Sequence, residues 1–270
     1  MHRLCKPRIL GSLRSLLVLC LSIAALISVQ AQTRSVPILA YHRFSSVRTD
    51  STSTVPTAAF EAQLQWLSDH QYRVLPLRSI LATLREPNAT FALPAIAITA
   101  DDGDESVYTD MYPLVLKFHV PVTLFIFPSA VSRSSSVLTW EQIKTMQGSG
   151  LVDVQSHTYW HPNFRTERAR LSPSAYRAFV DFQLQRSKKV LEEKLGTKVD
   201  SLAWPYGIYD PELEAAAAEA GYEAAFGFGG GLARSGCDMF AIPRIPVAGA
   251  ELGSRFAAML AEPTTHGEKR

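Results

Sequence analysis

Short apolar runs alternate with amphipathic stretches along most of the chain. The apolar segments VPILAYH, YRVLPL, AIAITA, PVTLFIF, LVDVQSH, SLAWPYG, YEAAFGF and FAIPRIPV are typical of strands covered on both faces. Between them, apolar residues recur at helical spacing, which predicts helices over 57–71, 105–119, 140–150, 174–195 and 210–221. Thr57 fits an N-cap position, and Asp210 followed by Pro211 marks another helix start.

This alternation predicts parallel βα units in an α/β fold. Seven or eight units favour a single-domain (β/α) barrel over an open doubly wound sheet, and no G-x-G-x-x-G motif follows the early strands. In such barrels the chemistry lies at the C-terminal ends of the strands. The polar residues expected at those ends are His42, Asp101, Asp102, His157, Tyr206 and Arg244.

Residues 1–31 resemble an export signal. Four basic residues precede an apolar segment over 16–29, which is shorter than the roughly 20 residues that a spanning helix needs. Val29-Gln30-Ala31 then offers a small-residue cleavage site. We expect the protein to be exported, to the periplasm or as a secreted protein. The alternative is an uncleaved membrane anchor, and we expect membrane association only in that case.

Without residues 1–31 the formal net charge falls from +2 to −2, so no basic surface for nucleic acid is expected. Cys237 is then the one cysteine left, which excludes an internal disulfide, so the core must hold the fold together. We expect a single domain over 32–263, a length common for one barrel domain, and a loose polar tail over 264–270.

Two short motifs carry ligand chemistry. His157 and His161 are four residues apart, which would place both imidazoles on one face if the segment were helical. Asp101 and Asp102 follow an apolar strand. Each motif alone has an ordinary alternative, surface histidines or an Asp-Gly turn. Together they offer the three protein ligands of a catalytic zinc site, with one carboxylate to spare as a general base.

TADDG, SHTYWH and WPYG, in this order and about fifty residues apart, resemble the motifs of the NodB-type polysaccharide deacetylases, carbohydrate esterase family 4. The resemblance extends over residues 36–247, and ILAYH with WPYG is most similar to the branch that includes the poly-N-acetylglucosamine deacetylases. It implies a distorted (β/α) barrel, a divalent ion, zinc by preference, and hydrolysis of N-acetyl groups on a polysaccharide substrate.

The resemblance also implies roles for individual residues. Asp101 matches the general base, while Asp102, His157 and His161 match the metal ligands. Tyr206 matches the residue whose backbone N–H stabilises the oxyanion. Tyr41, Tyr159, Trp160 and Trp204 could stack on sugar rings; we expect Trp204 in the core and Trp160 beside the cleft.

Two family features are missing from their usual places. The arginine that orients the base is replaced by Ala203, so we consider Arg244, whose alternative is a solvent-exposed rim position. The C-terminal Leu-x-His that supplies the general acid is absent, and His266 lies in the polar tail. In the poly-N-acetylglucosamine deacetylase branch, which ILAYH resembles, the acid histidine lies at the N-terminal strand end. The resemblance therefore implies His42 as the acid, with a structural histidine at the rim as its alternative.

These departures leave two further functions open. The barrel could act on another acyl or amide substrate, because a fold and a metal site do not determine which bond is cleaved. It could also be a non-catalytic glycan-binding protein. Three metal ligands together with a base favour an enzyme, since a binding protein needs no general base.

Overall fold

The computed structural model of the protein describes residues 32–47, 53–92 and 94–261. The candidate export signal over 1–31 and the expected tail over 264–270 lie outside the described residues. None of the described helices combines the length and the apolar character needed to cross a bilayer.

The described strands are mostly short. They are β1 Gln32–Thr33, β2 Ser35–Val36, β3 Ile38–Tyr41, β4 Arg43–Ser45, β5 Thr54–Pro56, β6 Arg73–Val74, β7 Phe91–Ala92, β8 Ala95–Asp102, β9 Val122–Ile126, β10 Val152–Ser156, β11 Ser201–Ala203, β12 Ala224–Gly230, β13 Ala233–Arg234 and β14 Ile242–Pro246. The described α-helices are α1 Thr57–Asp69, α2 Leu77–Leu84, α3 Tyr112–Phe118, α4 Trp140–Gly148, α5 Phe164–Arg170, α6 Pro173–Leu195, α7 Pro211–Glu219 and α8 Ser254–Leu260.

Seven parallel strands form a closed ring in the order β3, β14, β12, β11, β10, β9 and β8, and β8 pairs back onto β3. The short strand β6 pairs with the beginning of β8, at Ala95 and Ile96. The predicted (β/α) barrel is therefore confirmed. Its ring is irregular, because β10 and β11 share a single paired position and β12 contains a bulge at Gly229 and Gly230.

The core divides into a barrel interior and an outer layer, as the two-residue period of a strand requires. In β8, Ala95 and Ala97 pack into the interior cluster, whereas Ile96 and Ile98 pack outward under the helices. Helix α2 contributes its buried face, including Ile80 and Leu84, to the interior cluster. The alternation along β8 places residue 101 inside the barrel and directs residue 102 away from it.

Several local expectations need correction. Thr57 is the first residue of α1 rather than its N-cap, and its hydroxyl donates to Asp110 Oδ1 at 2.7 Å. The expected strand YRVLPL is reduced to β6, because Pro76 directly precedes α2, which the pattern did not predict. The helix expected over 105–119 begins with a π-helical turn, Val107–Met111. The Asp210 cap is confirmed, since its carboxylate accepts the N–H groups of Glu212 and Leu213.

Candidate active site

The two aspartates at the end of β8 occupy different environments. Asp101 continues the inward alternation of the strand and is 2% exposed. Asp102 would face outward, but its φ of 72° turns the chain at this point. Gly103, with φ 79°, completes the bend. Because of this bend both carboxylates line the same cavity.

Arg244 is paired with Asp101 inside the barrel. Its Nη1 and Nη2 donate to the two carboxylate oxygens of Asp101, each at 2.7 Å. It also donates to Thr99 Oγ1 at 3.1 Å and to Gly227 O at 2.9 Å. Arg244 is 0% exposed, so the alternative of a solvent-exposed rim arginine is wrong. The cation that is missing at Ala203 therefore comes from β14.

The surroundings keep this pair ionised. The guanidinium lies over the rings of Phe125 and Phe226, at 5.2 and 6.0 Å from their centroids. Burial alone would raise the pKa of Asp101, but the charge of Arg244, supported by His157, lowers it below the ordinary value. Asp101 is thus a carboxylate at neutral pH, and each oxygen keeps a second lone pair beside its bond to Arg244.

His157 and His161 are brought together without a helix. The segment between them is an irregular turn in which Thr158 and His161 have φ values of 64° and 63°. The Thr158 hydroxyl accepts the His161 N–H at 3.2 Å and closes the turn. The two imidazole centroids are 4.6 Å apart. The helical turn considered from the four-residue spacing is wrong, although the imidazoles do meet.

Asp102, His157 and His161 form a cluster that could hold a metal ion, with all three donor atoms within 4.8 Å of one another. Asp102 Oδ1 lies 3.5 Å from the Nε2 atoms of both histidines. Tetrahedral zinc with ligands at about 2.0–2.1 Å would separate its donors by about 3.3 Å. The donor set and its spacing therefore fit a zinc-type ion.

The two histidines differ in their pKa shifts. His157 Nδ1 donates to the Ala203 carbonyl at 2.7 Å, which leaves Nε2 facing Asp102. Burial would lower the pKa of His157, but its hydrogen bond to Asp102 and the two aspartate charges raise it. Burial and the charge of His157 lower the pKa of His161 to about 4, so His161 is a neutral donor. The negative charge that favours a proton here would equally favour a metal cation.

His42 and Tyr206 lie at the same cavity. This cavity of about 200 Å³ is lined by His42, Asp101, Asp102, His157, His161, Trp204, Tyr206 and Phe228. The His42 ring packs edge-on against Phe228 at 5.2 Å. Burial lowers the pKa of His42, and the charges of Arg244 and His157 oppose the two aspartates that would raise it. Tyr206 has φ 57° in the turn after β11, and its exposed ring contacts His161 at 4.6 Å.

A wider cleft of about 520 Å³ adjoins this cavity, sharing Asp102, His161 and Tyr206 as lining residues. Arg43 and Asp104, which the sequence did not single out, line it and are 3.4 Å apart. Arg43 directly follows the predicted acid, and Asp104 lies two residues after the predicted ligand Asp102. This closeness in sequence is the signal that could have identified them. The arrangement offers a small site for the reacting group beside an open groove for a larger substrate.

The aromatic residues considered for sugar stacking mostly pack against other parts of the protein, although Trp204 also lines the cavity. Tyr41 is buried and donates to Gln63 at 2.8 Å. Trp204 is in the core as expected, with its indole N–H donating to Phe240 O. Trp160 is 46% exposed, but it packs on Phe179 and Phe182 of α6 rather than lining the cavity or the cleft.

The comparison with protein families decides the class. The family model described as polysaccharide deacetylase matches residues 89–225, just over half of the chain. The chain belongs to this family. The match includes both aspartates of the cavity and both histidines of the turn, so the expected resemblance is confirmed. This membership supports a polysaccharide deacetylase enzyme.

Individual relatives agree with the family. The poly-β-1,6-N-acetyl-D-glucosamine N-deacetylase of Staphylococcus aureus strain MRSA252 is 25% identical over 206 residues, covering 75% of this chain and 70% of that protein. The structure of IcaB from Ammonifex degensii matches with a TM-score of 0.69 and 28% identity, covering 80% of this chain and 93% of that one.

A further solved structure supports the fold alone. The Streptococcus pyogenes deacetylase PplD, in complex with acetate, gives a TM-score of 0.75 at 22% identity. The match covers 86% of this chain and 100% of that one. The barrel architecture is therefore shared across most of the chain.

Proposed function

We propose that the protein is a metal-dependent N-deacetylase that releases acetate from an N-acetylglucosamine-type polysaccharide. One observation carries the proposal. The buried carboxylate of Asp101, held by Arg244, lies in the same cavity as three side chains that could together bind a metal ion. The staphylococcal relative, named as an N-deacetylase of a poly-N-acetylglucosamine, supports the substrate class. The export-like sequence over 1–31 supports a polymer outside the cytoplasm.

Asp102, His157 and His161 would hold the ion, and two imidazoles with one carboxylate suit zinc. The bound ion would act as a Lewis acid on the acetamide carbonyl. The remaining steps belong to the protein. Asp101 is ionised and oriented by Arg244, so it can accept a proton from the attacking water.

Two further groups complete the proposed reaction. Tyr206 lines the cavity in the turn after β11, and its backbone N–H would donate to the developing oxyanion. His42, which follows β3 and lines the same cavity, would give a proton to the leaving amine once it is protonated. The buried pair of Asp101 and Arg244 also answers the main argument for a non-catalytic barrel, because the base retains its orienting cation.

The test is acetate release from N-acetylglucosamine oligomers by the purified protein, after chelation and again with added zinc. Asp101→Asn should lower turnover by about 10²–10⁴-fold, the usual contribution of a general base, while zinc binding persists. His157→Ala should abolish both zinc binding and acetate release. His70→Ala is the control, since His70 caps α1 through its bond to Trp66 O, and it should behave as the wild type.

Full activity of Asp101→Asn would exclude that residue as the base. Zinc binding by the wild type without acetate release from oligomers of any length would exclude the proposed substrate. Acetate release that survives complete removal of the metal would exclude the proposed chemistry.

A further inference from the structure

The turn that carries both histidines of the cluster is tied to helix α6 by a buried glutamine. Gln183 Oε1 accepts the backbone N–H of Trp160, the residue directly before His161, at 3.1 Å. Gln183 is 0% exposed. This contact joins the turn to a helix that contributes no group to the cavity lining.

A second contact from α6 holds the start of the same turn. The hydroxyls of Ser187 and Ser156 are 2.8 Å apart, and both side chains are buried. Ser156 Oγ also accepts the N–H of Thr158 at 3.2 Å and lies 2.8 Å from the Tyr222 hydroxyl. Side chains thus accept the backbone N–H groups of residues 158 and 160, and two of the buried polar groups involved belong to α6.

Packing alone does not explain a glutamine at this position. Gln183 and Ser187 lie on the buried face of α6 with Tyr176, Val180, Leu184 and Leu191. A leucine or methionine would fill such a position without desolvating an amide, which is costly unless every polar atom is paired. Among the described residues Nε2 of Gln183 has no hydrogen-bond partner, so the amide is only half satisfied.

The backbone it supports is strained. Thr158 and His161 are non-glycine residues with positive φ, a conformation that persists only where the surroundings enforce it. Each hydrogen bond that fixes the turn therefore helps to keep the two imidazoles at their 4.6 Å separation. Outer residues that orient ligands in this way commonly change metal affinity 10–100-fold when removed.

We propose that Gln183 is a positioning residue that holds the His157–His161 turn in its ligand-binding shape. The inference rests on the proposed metal-dependent function, because its consequence is the affinity of the histidine pair for an ion. Loss of the acceptor oxygen would free the N–H of Trp160, let the turn relax, and separate the two imidazoles.

The test compares variants that keep or lose the acceptor. Gln183→Met removes it at similar side-chain length and should weaken zinc binding about 10–100-fold, measured by competition with a fluorescent chelator. Gln183→Glu keeps an accepting oxygen and should retain at least about one-tenth of the wild-type zinc affinity. Gln185→Met, at an exposed position of the same helix, is the matched control and should be unchanged.

Kinetics and stability separate positioning from mere folding. At saturating zinc, Gln183→Met should lower kcat with KM little changed, and its metal-free thermal midpoint should not fall below that of Gln183→Glu. If the Met variant does not fold, Gln183→Asn, which retracts the amide by one carbon, carries the same expectation. Wild-type zinc affinity in a folded variant without the acceptor would overturn the inference.

The outcomes also separate this inference from the proposed function. Wild-type protein that binds zinc but releases no acetate would refute the proposed substrate alone, since the zinc titration of the variants is independent of turnover. Acetate release by the wild type, together with unchanged zinc affinity in Gln183→Met, would refute the positioning role alone.

Discussion

Replacing Arg244 by methionine should destabilise the protein far more than removal of an ordinary surface arginine. The substitution keeps much of the side-chain volume but removes every donor to Asp101, Thr99 and Gly227. Asp101 then becomes a buried charge without a partner, because both residues are almost completely inaccessible to solvent. Such a charge recovers little hydration, because Asp101 is 2% exposed and meets solvent only at the cavity.

The magnitude follows from this geometry. Breaking a buried ion pair by removal of one partner typically costs about 3–5 kcal/mol, chiefly because the other charge is left uncompensated. Since domains unfold at only about 5–15 kcal/mol, this is a large share of the stability. The same reasoning predicts a smaller loss for the double variant Arg244→Met with Asp101→Asn than for the sum of the single variants, with a coupling of about 1–3 kcal/mol.

The assay is guanidinium denaturation in the presence of a chelator, so that metal binding to the native state does not mask the effect. Arg85→Met is the control. Arg85 pairs with Glu223 at 3.0 Å, but its side chain is 41% exposed. Exposed pairs of this kind contribute about 0–1 kcal/mol. A loss below about 1 kcal/mol for Arg244→Met, or strictly additive single and double variants, would refute the argument.

Two further predictions concern the rim of the cavity. His42→Gln should lower kcat for acetate release by about 10²–10⁴-fold with zinc affinity retained, and a wild-type kcat in steady-state assays would exclude His42 as the acid. Gly207→Ala should cost about 1–3 kcal/mol in the same denaturation assay, because its φ is 65° and the added Cβ would lie 2.8 Å from Phe228 N. Gly150→Ala, with φ 75° and no atom within 4 Å, should cost less; equal losses would show that the contact with Phe228 is unimportant.

The strands and helices were predictable wherever a segment was long enough to show an apolar run or a helical period. Buried parallel strands are apolar throughout, and AIAITA and PVTLFIF show this plainly. Helices α2, α5 and α8 were missed, since each is only seven or eight residues long and gives few periods of a helical pattern.

The histidine pair shows where local inference was incomplete. The spacing of His157 and His161 correctly suggested that their imidazoles meet, but the helical turn that would bring them together is absent. The turn depends on Gln183 and Ser187, which lie more than twenty residues further along the chain. Their one local signal is the presence of polar residues within the apolar face of α6.

The sequence by itself determined the βα order, the placement of polar residues at strand ends, and the motifs that mark the family. Those features are local, since they depend on strand period, turn residues and short spacings. Only the tertiary structure decided that Arg244 pairs with Asp101, because these residues are 143 positions apart and meet only when the ring closes, with β14 paired to β3 and β3 paired to β8. Ring closure sets which side chains share the interior, and no local pattern records it.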